Sequence, residues 1–407
     1  MIDWQRWFSI PLSTRWAICV WFAILSGVFG RVAIAKPTAQ SVLPIYALGG
    51  ERWWNAEPLY DPPPPTMDVY RNPPGFAALF APLSQLPPKL VGLGWRLVGI
   101  GLFLVGLRRF LAAVHPVSLT RRAAATVWII AALLVLPAFN NGQVNLYIAT
   151  AALFGTAAAV RCQWWRASAW LMLAAWLKVY PIALAGLVAL LAPRHLSWRI
   201  PLVLLAFLAW PYAVRDSHYI GEQTEAFWAA SQADERSEAP LDRTAKGWTY
   251  LVRVTTGHCA DRRTVQSVAA IAGLLLAGVV LRARLRGGAT PELHGFTCCL
   301  GLLWMVLFGP ATESNTYSIL APVGWLVVSP GLPRAARLVA GIGIGFLLVA
   351  GFHSFVPNDP DFTLASLQPI GASLLLCVVV WAVLKTPHAV AAPTRGEYDT
   401  PTRSPRV

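Results

Sequence analysis

Residues 167–192 read ASAWLMLAAWLKVYPIALAGLVALLA. The stretch is apolar enough and long enough to cross a bilayer core of about 30 Å as one helix. Lys178-Val179-Tyr180-Pro181 stands at its centre. A lysine in mid-bilayer is costly, and Pro181 has no N–H to continue the helical ladder. Both flanks are basic, with Arg161 and Arg166 before the stretch and Arg194 and Arg199 after it. Lys and Arg gather on the cytoplasmic side of membrane chains. A single straight span would leave one basic flank outside. Two short segments turning at Lys178 keep both inside, so a broken or re-entrant pair is expected, with Lys178 facing a cavity near the outer side.

Ten more apolar blocks surround this one, at 16–35, 90–107, 123–140, 145–160, 199–214, 264–281, 293–309, 316–329, 337–353 and 366–384. The chain of 407 residues is 56% hydrophobic and 13% charged, about half the charge content of a typical soluble domain at roughly 25%. A soluble enzyme, a disordered chain and a coiled coil are excluded. The expected fold class is all-α, a polytopic membrane helix bundle of about 12 membrane segments with a long first extracytoplasmic loop. Residues 1–385 read as one transmembrane domain with outer loops 36–89 and 215–263, and 386–407 as a cytoplasmic, disordered tail. Ala33-Ile34-Ala35 resembles a signal-peptidase site, but the stretch before it is longer than a usual signal core, so an uncleaved first span is expected.

The net charge is +14. With the N-terminus placed inside, the segments assigned to the cytoplasm carry that whole excess and the remainder is close to neutral. The basic balance records orientation in a membrane and implies no nucleic acid. Of six cysteines, Cys19, Cys298, Cys299 and Cys377 lie in apolar blocks, Cys162 in a basic loop and Cys259 in a polar loop. Without CxxC or metal spacing they read as structural, buried thiols.

The same topology places three short motifs on the outer face. Asn140-Asn141-Gly142-Gln143-Val144-Asn145 joins two spans and carries more amides than a turn needs. Amides can bond sugar hydroxyls or a phosphate without adding charge, which makes Asn141, Gln143 and Asn145 candidate binding residues. Lys178, with Tyr180 beside it, is a point charge suited to a phosphate. Glu313, in Gly309-Pro310-Ala311-Thr312-Glu313-Ser314-Asn315, is a carboxylate at the outer end of a span, with Asn315 as a neighbouring ligand candidate. The first outer loop adds Glu51, Asp61 and Asp68 as candidate catalytic acids, and Tyr70 and Arg71 as binding candidates. Its Pro62–Pro65 run stiffens the loop, and the loop 215–263 is expected to hold a short helix. No His pair has metal-ligand spacing and no nucleotide-binding loop is present, so no cofactor is expected and a divalent cation is not indicated.

PLYD at 58–61, YRNPPGFAALFAPLSQLP at 70–87, NGQVN at 141–145, KVYP at 178–181 and the Pro310-to-Tyr317 spacing together resemble glycosyltransferase family 87 over roughly residues 16–384. The resemblance implies a GT-C fold. It implies a sugar, mannose or a similar hexose or pentose, moved with inversion from a polyprenyl-phosphate donor to a lipid-linked or cell-envelope glycan acceptor outside the plasma membrane. Gln143 and Asn145 match the family's GQ-x-N turn, and Lys178 and Pro181 its K-x-x-P. Relatives usually carry an Asp shortly before a Tyr after the first span, where Gln40–Tyr46 here has no acid. They commonly carry Trp and His before the late Tyr, where Glu313, Asn315 and Thr316 stand here. One carboxylate must act as general base on the acceptor hydroxyl, with Asp68 favoured and Glu313 in reserve. Lys178 would meet the phosphate, with Arg71 as a second candidate. The rival readings are a transporter or flippase of lipid-linked glycans and an inactive scaffold subunit of an envelope-synthesis complex.

Overall fold

The structure is a computed structural model that describes residues 10–34, 41–65, 67–115, 119–233, 240–241, 244–310, 312–353 and 362–385. The tail 386–407 and the residues Asp3, Arg6 and Ala35 therefore lie outside the described residues. Among the described residues the chain is helical and contains no strand.

Every apolar block becomes helix. In chain order these are α1 (Leu12–Ile34), α2 (Leu43–Asn55), α3 (Pro74–Ser84), α4 (Pro88–Val114), α5 (Arg121–Asn141), α6 (Asn145–Val160), α7 (Trp164–Leu177) and α8 (Ile182–Leu191). After a short turn of helix follow α9 (Arg199–Ala209), α10 (Ser217–Ala233), α11 (Trp248–Thr256), α12 (Arg262–Gly287) and α13 (Pro291–Phe308). A 3₁₀ helix (Ser314–Val327), α14 (Arg334–His353) and α15 (Phe362–Lys385) complete the bundle. Among the described residues eight helices are long and apolar enough to cross a membrane, counting Pro193–Ala213 as one. The 3₁₀ helix replaces the α-helix implied by block 316–329. Its 14 residues at about 2.0 Å each still extend roughly 28 Å.

The central stretch is broken where its sequence indicates. α7 has 14 residues and α8 has 10, about 21 and 15 Å at 1.5 Å per residue, so neither crosses about 30 Å of hydrocarbon. Lys178 is extended (φ −151, ψ 140) and Pro181 caps the start of α8. The chain reverses there. The Trp164 ring at the start of α7 stacks on His195, just past α8, at 4.7 Å, and Trp165 meets Trp198 at 5.3 Å. α9 then returns along α7, so that Phe207 and Trp210 reach Trp176 beside the break.

The bundle thus has two ends. At one, Arg161 donates to the Arg109 carbonyl, and Glu292 accepts from Ser329 and Gly331. At the other lie the 140–145 turn, the 178–181 break and the start of the 3₁₀ helix.

Two expectations are corrected. Cys298 and Cys299 are buried, but Cys19, Cys162, Cys259 and Cys377 are exposed, the first and last of these on apolar helices whose outward faces a weakly polar thiol suits. Loop 215–263 holds two helices, α10 and α11, rather than one. Loop 36–89 also folds, through α2 and α3. Leu59 N–H donates to Gln223 Oε1 and Tyr219 Oη to the Glu57 carbonyl, which binds the two loops together.

Candidate functional site

The site starts from how α5 ends. Gly142 adopts φ +75, and the N–H groups of Gly142 and Gln143 return to the carbonyls of Phe139 and Ala138. This is the glycine-terminated helix end that a left-handed residue permits. Further carbonyls at this end find donors from other elements. The Asn140 carbonyl accepts from Arg31 at 2.7 Å and Arg96 at 2.8 Å. Arg96 Nε also donates to Phe139, and Trp95 Nε1 to Gly142. The Asn141 carbonyl accepts from Ser41 Oγ and Val42 N–H. Arg96 is 1% exposed. Cations at a helix C-terminus meet the negative end of its dipole. The turn is therefore held rigidly, and Asn141 Oδ1 is itself engaged by Val42 N–H at 3.1 Å.

That rigid turn delivers Gln143 and Asn145 inward, both buried. Lys178 Nζ donates to Asn145 Oδ1 at 3.2 Å, Asn145 Nδ2 to Gln143 Oε1 at 2.5 Å, and Gln143 Nε2 to Glu313 Oε2 at 3.4 Å. The direction of every bond follows from the ends: an ammonium can only donate and a carboxylate can only accept. Buried amides are costly unless bonded in this way. The half-buried Glu313 is held by the start of the 3₁₀ helix. Its side chain accepts from the Thr316 N–H, and Thr316 Oγ1 accepts from the Glu313 N–H. Tyr180 places its ring 5.8 Å from Lys178 Nζ. Tyr46 Oη accepts from Val144 N–H on the other side of the turn.

The first loop reaches the same place by a different residue from those expected. Buried Asn72 lies 3.4 Å from the Leu177 carbonyl, which the helix break leaves without its own donor. Tyr60 Oη holds the Asn72 carbonyl at 2.8 Å. Tyr70 is buried against Gly49, where a Cβ would come within 2.6 Å of its ring, so it packs the loop.

The structure brings Gln143, Asn145, Lys178 and Glu313 together. It does not put the loop acids in that chain. Asp68 is exposed in an ion pair with Arg71 at 2.6 Å. Glu51 and Asp61 are exposed, and the Asp61 carbonyl accepts from Arg52. Asn315 is half-buried beside Glu313. Sequence reasoning missed Arg31, Ser41, Tyr46, Asn72 and Arg96. An arginine inside the apolar block 90–107 was the available signal for Arg96. Among the described residues no three His, Cys, Asp or Glu side chains gather to hold a metal ion.

Fold and site together define a polytopic helical membrane protein with a cation-to-carboxylate chain, running through two buried amides, at one end, between a broken helix and two turns. Residues 70–310, more than half of the chain, match glycosyltransferase family 87. The chain belongs to that family and is a membrane glycosyltransferase. The match contains the 140–145 turn and the 178–181 break and stops just before Glu313. No curated protein matches the chain.

Proposed function

We propose that the protein moves a sugar, with inversion, from a polyprenyl-phosphate donor to a lipid-linked or cell-envelope glycan on the extracytoplasmic face of the plasma membrane. The observation that carries this reading is the chain Lys178–Asn145–Gln143–Glu313. It offers one cation and one carboxylate in a single cluster, which is what the reaction needs. Glu313 takes the proton of the acceptor hydroxyl as its oxygen attacks the anomeric carbon. The bond from that carbon to the phosphate oxygen breaks, and polyprenyl phosphate leaves with the electron pair. Lys178 meets the charge that grows on the leaving phosphate, and preorganised donors of this kind act most strongly where water is excluded. Asn145 and Gln143 keep the cation and the base apart and oriented. A phosphate needs no acid to leave at neutral pH. In this reading Asp68 yields the role of base to Glu313, because it is exposed and already paired.

Purified protein given a labelled polyprenyl-phosphate sugar and membrane lipid acceptors should transfer the label. Transfer that survives Lys178→Ala combined with Asp68→Asn and Glu313→Gln contradicts the site. Orientation is tested with the native thiols. Cys162 and Cys259 are both exposed, Cys162 after α6 and Cys259 in the second outer loop. A membrane-impermeant maleimide on intact cells should label Cys259 and spare Cys162, and the reverse pattern overturns the orientation.

A further inference from the structure

A cavity with a mainly apolar lining and a few polar groups lies beside the segment that leads to Glu313. It has a volume of about 180 Å³ and is lined by Thr244, Trp248, Arg253, Cys259, Arg262 and Gln266, over a floor formed by residues 307–310. Its walls come from α11 and the start of α12, and its floor is the segment that leads to Glu313. The two are bonded together. Lys246 N–H donates to the Thr312 carbonyl at 2.6 Å, and Tyr317 Oη donates to the Lys246 carbonyl at 2.6 Å. At Gly247 a Cβ would lie 2.6 Å from the Leu307 carbonyl, so the loop meets the floor backbone to backbone. The cavity wall is therefore fixed on both sides of the candidate base.

The lining selects a type of ligand. The Trp248 indole offers a flat apolar face. Its N–H is buried with no acceptor among the described residues, an uncommon condition for a buried donor. Gln266 provides a neutral hydrogen-bonding group, while Thr244 Oγ1 is engaged, donating to the Pro240 carbonyl and accepting from Arg253 Nη1. Arg262 donates through Nη1 to the Gln232 carbonyl at 2.8 Å, which anchors one edge of its guanidinium. The rest of that fork suits a planar or tetrahedral oxyanion. The volume is below the roughly 300 Å³ at which pockets for larger ligands begin, so it takes one terminal unit of a glycan.

We propose that this cavity holds the terminal unit of the acceptor, an anionic, phosphate- or carboxylate-bearing sugar, and presents its hydroxyl toward Glu313. The inference rests on the transferase reading for its purpose, but its test does not need turnover. Cys259 lines the cavity, so its alkylation rate reports occupancy. The full-length protein is treated with maleimide and the Cys259 peptide is quantified by mass spectrometry, with glucose 6-phosphate, glucose or inorganic phosphate as probe. Protection equals one plus the ratio of probe to dissociation constant. Glucose 6-phosphate should slow alkylation about fivefold at millimolar concentration, with glucose and phosphate each under about twofold. Arg262→Gln should abolish the protection relative to its own rate without probe, and Glu313→Gln should keep it while losing transfer. No protection, protection by phosphate equal to that by the sugar phosphate, or full protection in Arg262→Gln overturns the proposal. Normal transfer by Glu313→Gln together with intact protection overturns the base assignment and leaves the cavity standing.

Discussion

The two ends of this bundle both use arginine and do opposite things with it. At one end Arg199 lies flat over Trp198 at 4.2 Å and over Trp165 at 5.3 Å. Such a cation lies against the faces of half-exposed indoles at the edge of the bundle. At the other end Arg31 and Arg96 turn inward onto the carbonyls that terminate α5. They build the floor on which Gln143 and Asn145 stand. The lesson is that arginines alike as letters take opposite roles, one lying over exposed indoles and the others bonded inside the bundle. Arg96, inside the apolar block 90–107, is almost wholly buried.

The comparison can be broken by substitutions taken from the largest expected effect to the smallest. Lys178→Ala removes the cation of the site and should cut transfer by about 10²-fold or more with little change in thermal stability. A loss of folding instead would make Lys178 a structural residue like Arg96. Arg96→Met removes the charged donor shared by the Phe139 and Asn140 carbonyls, which keep only Gly142 N–H and Arg31, at about 3 kcal/mol in all. It should lower the midpoint of thermal unfolding in detergent, and an unchanged midpoint would make the clamp dispensable. Gly142→Ala forces a Cβ into the left-handed region, at about 1–2 kcal/mol, and sets it 3.1 Å from Arg96 Nη2. Its unfolding midpoint should fall less than that of Arg96→Met. Arg71→Gln breaks an exposed pair worth about 1 kcal/mol at most, so stability and transfer should stay within about threefold of the parent. A larger loss of transfer would bring the first loop back as a phosphate site.

Much of the architecture was legible beforehand. The apolar blocks all became helices, and the basic flanks of 167–192 foretold the reversal at Lys178. The physical reason is local: a proline and a lysine in an apolar run, flanked by like charges, leave few alternatives. The pairing of Lys178 with Asn145 was not legible, because it depends on α6 and α7 lying side by side. The different surroundings of the acids were not legible either. Asp68 and Glu313 are equivalent as letters in the sequence, whereas in the structure Asp68 is exposed and paired with Arg71 and Glu313 is half-buried and bonded to Gln143. Tyr46 and Asn72 were quoted within motifs but had no role, since each acts by bonding to backbone freed at a distant helix end. The 3₁₀ pitch of Ser314–Val327 has no counterpart in the apolar pattern, which marks that the segment is buried and leaves its winding open.

The central claim is that the reacting carboxylate belongs to the chain running from Lys178, and the most direct test sets two conservative substitutions side by side. Transfer from a labelled polyprenyl-phosphate sugar is measured for Glu313→Gln and Asp68→Asn in the same membranes. The account predicts a loss of about 10²-fold or more for Glu313→Gln and near-parental transfer for Asp68→Asn. An active Glu313→Gln beside an inactive Asp68→Asn would contradict it.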